Sequence, residues 1–202
     1  MNNKTLMVAL FGPDGSGKSA TADLLEEKLL ERDLQVYRYH WRPRALPSLK
    51  KDYTTLSFND PSGLKTRSYF VSFACYLYFF LDFLVACTFT LKKRAENNSI
   101  IIYERYYFDV LIHPERYKLR KIDWLGSLLS HLLPKPSLTY VFSGSPEIIH
   151  SRKPELSICE IRRQLSLFKS EIPKYTQVCM LDIEINSAAQ LASSIAKEIS
   201  ER

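Results

Sequence analysis

The stretch Gly12-Pro13-Asp14-Gly15-Ser16-Gly17-Lys18-Ser19 decides the fold of this 202-residue chain. It fits Gly-x-x-x-x-Gly-Lys-[Ser/Thr] at every position. Before it, Thr5–Phe11 is a short apolar run that reads as a buried strand. After it, Lys18–Arg32 carries Ala22, Leu25 and Leu29 at helical spacing. Glycines at such a junction let successive backbone N–H groups turn inward around an anion, where a Cβ would obstruct the path. The helix N-terminus adds the positive end of its dipole. Lys18 supplies a mobile charge for outer phosphates, and the Ser19 hydroxyl suits Mg2+. Gly12, Pro13, Asp14, Gly15, Ser16, Gly17, Lys18 and Ser19 are therefore expected to hold the phosphates of a nucleoside triphosphate with Mg2+, a property that motor, switch, helicase and kinase proteins share.

Working outward, strands and helices alternate. Gln35–His40 reads as a second strand, Ile100–Tyr103 as a third after an Asn97-Asn98 turn, Leu138–Phe142 as a fourth and Gln177–Leu181 as a fifth. Between the second and third, a proline-broken basic loop (His40–Thr66) leads into a long aromatic helix, and Ser187–Ile199 closes the chain as a helix. Ser145-Pro146-Glu147 marks a helix start. So does Ser157-Ile158-Cys159-Glu160, a capping box with Leu156 and Ile161 as its staple. Alternation of this kind predicts an α/β fold with a parallel sheet covered on both faces, in one domain over residues 1–202.

Composition narrows the functional classes. A hydrophobic share of 46% with 25% charged residues is that of a globular protein, and the net charge of +6 suits anionic ligands. No nucleic-acid recognition module is present, so that class is set aside. Cys75, Cys87, Cys159 and Cys179 lie far apart without metal-ligand spacing, which points to a reducing cytoplasm. Tyr69–Leu91 is long enough to cross a bilayer and is followed by Lys92, Lys93 and Arg94. Asp82 at its middle would be costly in lipid, so a mostly buried helix is expected instead of a membrane span.

Two further groups point to transfer chemistry. Glu104-Arg105 ends the third strand, at the sheet edge where ligands of parallel α/β proteins collect. Glu104 is suited to Mg2+ or its waters, and Arg105 to gripping an acceptor phosphate. Arg152-Lys153 and Arg162-Arg163 flank a short loop, a flap able to neutralise charge over a transferring phosphoryl group. Tyr39-His40-Trp41-Arg42-Pro43-Arg44 either holds an anionic acceptor or covers the sheet edge.

With these residues in view, the chain resembles the thymidylate kinase family over nearly its full length. The resemblance rests on Phe11–Ser19, Glu104-Arg105-Tyr106 and Leu138–Lys153. It implies a three-layer P-loop kinase fold with a five-stranded parallel sheet flanked by helices, an acceptor region at about 40–95 and a short lid at about 150–163. It further implies a homodimer packed through helices, and transfer from ATP-Mg2+ to a bound monophosphate such as dTMP. Lys18, Asp14, Arg105, Arg152, Lys153 and Arg163 would be catalytic, Ser19 and Glu104 would hold the metal, and Asp14, Arg42, Arg67, Phe73 and Arg105 would face the acceptor. The chain also departs from the family. Glu104 replaces an Asp, the Arg-Glu-Pro-Gly-Gly stretch is absent, and Leu77 stands where an arginine reads the thymine edge. The acceptor is accordingly a nucleoside monophosphate or another small metabolite, and a nucleotide-binding regulator without turnover stays open.

Overall fold

The computed structural model describes residues 5–47, 66–94 and 99–202, the side chains of 89–94 excepted. The expected Asn97-Asn98 turn and most of the proline-broken loop fall outside those residues. Five strands form one parallel sheet: β1 (Leu6–Phe11), β2 (Gln35–Tyr39), β3 (Ser99–Glu104), β4 (Leu138–Ser143) and β5 (Cys179–Asp182), in the order β2-β3-β1-β4-β5. Val8 lies opposite Ile102 on one side and Leu138 on the other, so β1 is central.

A central strand has no solvated face, which is why β1 and β3 read as unbroken apolar runs and are buried at every position. Alternate residues serve opposite layers. Met7, Ala9 and Phe11 pack with the aromatic helix, whereas Leu6, Val8 and Leu10 pack with the first and last helices. One layer contains α1 (Lys18–Leu30) and α7 (Ala188–Ser200). The other contains α2 (Tyr69–Arg94), α3 (Phe108–Ile112) and α4 (Asp123–Leu132). Two more helices, α5 (Pro146–Arg152) and α6 (Ile158–Glu171), follow β4.

The caps bear out the sequence cues, with one departure. Ser145 and Ser157 each accept from the backbone three residues on, at 3.3 and 3.2 Å. Such caps are each worth about 1 kcal/mol. The reciprocal half of the expected Ser157–Glu160 box does not form, because the Glu160 carboxylate turns to Arg163 and Gln164 instead. A complete capping box occurs at Ser187 and Gln190. The fifth strand starts two residues later and ends one residue later than the expected Gln177–Leu181. It is an edge strand with exposed residues, so its boundary carries little hydrophobic signal.

Among the described residues one helical span, Tyr69–Thr88, is long and apolar enough to cross a membrane, and half of it is buried inside the protein. Asp82 at its middle is fully buried and faces the protein. Its Oδ1 accepts from the Leu46 backbone at 2.7 Å and its Oδ2 lies 3.6 Å from the Arg42 Nε. The Arg42 guanidinium in turn lies over the rings of Trp41, Tyr78 and Phe79 at 5.3–5.7 Å. The mid-helix charge is thus the anchor that fastens the segment after β2 onto α2.

Candidate active site at the carboxyl edge of the sheet

The turn from β1 to α1 places residues 12–19 at the carboxyl end of the central strand. Gly17 precedes the helix in the left-handed region, with φ 85°, and Gly15 has φ 89°. Gly15 is tightly enclosed as well: a Cβ there would lie 2.8 Å from the Ile149 carbonyl oxygen and 3.1 Å from the Lys153 Cβ. Only glycine meets both demands. The same contacts show that α5 leans on the phosphate loop, which brings Arg152 and Lys153 beside it. The Arg152 guanidinium would come within 4.0 Å of a Cβ on Gly17 and donates to the Ile183 carbonyl at 3.4 Å.

Lys18 curls over the loop and donates to the Pro13 carbonyl at 2.7 Å and to the Ser16 hydroxyl at 3.3 Å. Its burial, reinforced by the nearby Arg105 and Arg116 against the pull of Asp14 and Asp109, brings its pKa down to about 7.

Asp14 is the junction of the site. Its carboxylate pairs with the Arg105 Nη2 and, at 3.4 Å, with the Arg116 Nη2. Burial alone would raise its pKa, but the two guanidiniums and Lys18 hold it far below the carboxylate range. Behind this pair Asp109 is wholly buried, accepts from the Tyr117 hydroxyl at 2.6 Å and is kept ionised by Arg105 and Arg116. Trp41 stacks on Tyr117 with ring centroids 4.5 Å apart, tying the segment after β2 to this network.

Ser19 and Glu104 lie side by side: the hydroxyl donates to the Glu104 Oε2 at 2.5 Å. The other carboxylate oxygen accepts from Arg38 at 2.6–2.7 Å. Burial opposes its ionisation, but hydrogen bonds from His40, Ser19 and Arg38 bring Glu104 down to about 2. A hydroxyl beside an ionised carboxylate is the hard-oxygen pair that Mg2+ takes from a protein when phosphates supply its other ligands. The donor set therefore fits the ion. Among the described residues no group of three or more His, Cys, Asp or Glu is gathered as a metal cage.

Other expected residues stand apart from the loop. Arg42 goes to Asp82, Arg67 lies 3.6 Å from the Cys75 sulfur, and the half-buried Phe73 rests on Trp124 with centroids 6.3 Å apart. Arg162 pairs with Glu147, and Arg163 makes two bonds to Glu160 at 2.8–2.9 Å. Sequence reasoning missed Arg38, Asp109, Arg116 and Tyr117. The last three follow Arg105 within a dozen residues, and that density of ionisable and phenolic side chains after a sheet-edge arginine was the available signal.

Fold and loop together define a P-loop kinase fold. No family model matches the chain, and no curated protein matches it by sequence. Among solved structures, the thymidylate kinase of Candida albicans matches 98% of this chain and 92% of its own, with a TM-score of 0.64 at 18% sequence identity. That likeness is one of fold.

Proposed function

We propose that this protein is an ATP-dependent phosphotransferase acting on a small phosphorylated acceptor, in the manner of a nucleoside monophosphate kinase. The observation that carries the reading is the Asp14 carboxylate shared by Arg105 and Arg116, because it joins an anion-binding pair of guanidiniums directly to the phosphate loop. Residues 12–19 hold the donor. Arg105 and Arg116 seat the acceptor's phosphate, and Arg152 and Lys153 cover the transferring group from the lid side. An acceptor oxygen attacks the γ-phosphorus as the bridging bond to the β-phosphate breaks, giving ADP and a phosphorylated acceptor. The protein contributes alignment and charge neutralisation. Ser19 and Glu104 would hold Mg2+, whose role when bound is to draw charge from the phosphate oxygens.

The fold neighbour is a thymidylate kinase described as having broad substrate specificity, which makes dTMP the first acceptor to test. The same reading places the chain in a reducing cytoplasm, with its four cysteines as free thiols. It also makes the chain a homodimer packed through α2 and α4, whose exposed Phe70, Leu81, Trp124, Leu128 and Leu132 support a helical interface.

The test is ADP release from ATP-Mg2+ over nucleoside monophosphates, nucleosides and sugar phosphates, with Lys18→Ala as control. Acceptor-stimulated ADP release, lowered by orders of magnitude in Lys18→Ala, is the expected result. ATP binding with no acceptor-dependent turnover would make the protein a nucleotide-binding regulator instead.

A further inference from the structure

At the amino edge of the sheet, opposite the phosphate loop, the chain forms a hollow of about 460 Å³, within the range of sites that take small molecules. Three lysines line it, and they come from three places. Lys135 lies between α4 and β4, Lys169 in the last turn of α6, and Lys174 in the tight turn that follows. The tertiary fold, not a run of charge in the sequence, brings them together. None of the residues lining the hollow is acidic. Glu171, outside the lining, holds Lys174 at 2.8 Å, whereas Lys135 and Lys169 have no carboxylate partner among the described residues.

Solvated lysines by themselves mark no site, and Lys169 has a second reason for its place in the negative end of the α6 dipole. Lys135 has none. The neighbours supply what a charged surface alone lacks. Pro173, Val178 and Met180 add apolar surface to the lining, and Met180 stays 42% exposed. Tyr175 lines the hollow too. Its ring is fixed by stacking on Phe108, with centroids 5.1 Å apart and planes 17° apart, while its hydroxyl has no hydrogen-bond partner among the described residues. Ammonium groups only donate and a free phenol has a proton to give, so the ligand must accept. Two unmatched positive charges ask for a dianion, and the apolar surface asks for a carbon skeleton. A metal cation would be repelled, and the volume limits the ligand to a small molecule.

We infer that this hollow is a second ligand site, which takes a small organic dianion with its charge toward Lys135 and Lys169 and its skeleton against Tyr175 and Met180. Two sources carry this chemistry: a phosphate monoester and a dicarboxylate. Lysines hold either as point charges, without the planar fork by which arginine selects. The site shares no residue with the phosphate loop and does not depend on the phosphotransferase reading.

Calorimetry at about 0.15 M salt tests this with phenyl phosphate, phthalate and inorganic phosphate as probes. Phenyl phosphate or phthalate is expected to bind with a Kd below about 1 mM, and at least about threefold more tightly than inorganic phosphate. Lys135→Ala and Lys169→Ala should each weaken that binding about 1.5- to 5-fold, the range of an exposed ion pair. Lys135→Glu combined with Lys169→Glu should abolish it with the Tm of the free protein unchanged, since both side chains are exposed. Tyr175→Phe keeps the ring on Phe108 and should weaken binding about two- to tenfold through loss of one hydrogen bond. Lys18→Ala should leave it intact. Phenyl phosphate ahead of phthalate identifies an organic phosphate as the ligand, and the reverse order identifies a dicarboxylate. A Kd above about 1 mM for every probe overturns the inference. So does binding that survives the double charge reversal, or that disappears in Lys18→Ala and thus belongs to the phosphate loop. Inorganic phosphate bound as tightly as the organic probes also overturns it, reducing the lysines to an unselective anion surface. None of these failures touches the kinase reading, which ADP release tests separately.

Discussion

Asp14 of the phosphate loop and Arg105 at the end of β3 form a partly buried ion pair between neighbouring strand ends, 91 residues apart in the chain. Arg105 also holds its backbone at φ 90° while its N–H donates to the Leu10 carbonyl at 3.0 Å. A left-handed arginine costs about 1–3 kcal/mol of strain, which persists only where the surroundings impose it. Here the backbone bond and the Asp14 carboxylate fix both ends of the residue. The strained arginine is thereby aimed at the loop that would carry the donor.

Asp14→Asn keeps the shape of this junction and removes its charge. Arg105 and Arg116 lose their shared partner, so the acceptor seat loosens while the donor loop stays in place. Acceptor-dependent turnover should fall about a hundredfold, the scale set by misplacing a reacting group by roughly 1 Å. ATP-analogue affinity should change little by calorimetry. An equal loss in both would place Asp14 on the donor side.

Lys18 gives the site a pH signature. Burial and the neighbouring arginines bring it down to about 7, so at pH 8 about nine in ten molecules carry it neutral. Polyphosphate restores its charge, and a proton must be taken up with the ligand. Calorimetry in buffers of differing ionisation enthalpy should find about 0.9 proton absorbed per ATP-Mg2+ at pH 8 and about 0.1 at pH 6. Affinity should weaken as pH rises through this range. Lys18→Arg, permanently charged, should abolish the uptake, and persistence of the uptake in that variant would assign the proton to another group.

The phosphate loop, the central strands and the long helix were legible because each is a local pattern: glycines at fixed offsets, unbroken apolar runs, apolar spacing of three and four. The stretch 107–133 carries no start signal for an element, although Leu125, Leu129 and Leu133 repeat every four residues there and α4 occupies Asp123–Leu132. Short α3 and the tight turn Pro114–Tyr117 carry no periodicity to detect. Arg38 was hidden inside a strand, and its partner Glu104 lies 66 residues away. Arg42 looked like an acceptor ligand by charge alone. Only tertiary packing shows that Asp82, suspect as a mid-helix charge, is its counterion.

Gly15 tests how closely the lid side and the loop are fitted. Alanine there would meet the Ile149 carbonyl at 2.8 Å with φ at 89°. Strain of about 1–3 kcal/mol corresponds to roughly 5- to 150-fold in an equilibrium. If the loop yields, Gly15→Ala should bind ATP weakly with a nearly unchanged Tm. If α5 yields, binding should hold and the Tm should fall. A variant unchanged in both would show that α5 does not rest on the loop.

The apolar stripe on α4 makes an assembly prediction. Trp124, Leu128 and Leu132 are 60%, 54% and 59% exposed at a spacing of four residues. Such a stripe, with Phe70 and Leu81 also exposed on α2, is more than isolated surface apolar residues explain. Sedimentation without detergent should find a dimer for the native chain and a monomer for Leu128→Glu. A native monomer would discard the helical interface.

Glu104 decides whether the edge of β3 serves the metal. Its Oε2 meets the Ser19 hydroxyl while Arg38 fixes the other oxygen, so Glu104→Gln removes the ionised ligand and keeps the shape. The Mg2+ concentration for half-maximal turnover should rise about 10- to 100-fold, as when metal-site partners are lost. Binding of ATP without metal should be unaffected. The carboxylate also has a stability signature of definite sign. Its pKa is lowered from 4.5 to about 2 in the fold, so its stabilising effect is present above pH 4.5 and disappears as pH falls toward 2. The stability gap between the native chain and Glu104→Gln should therefore close over that interval in acid-unfolding measurements. A gap independent of pH would mean that the hydrogen bonds of Glu104, not its charge, hold Arg38 and Ser19 in place, and the metal assignment would then rest on Ser19 alone.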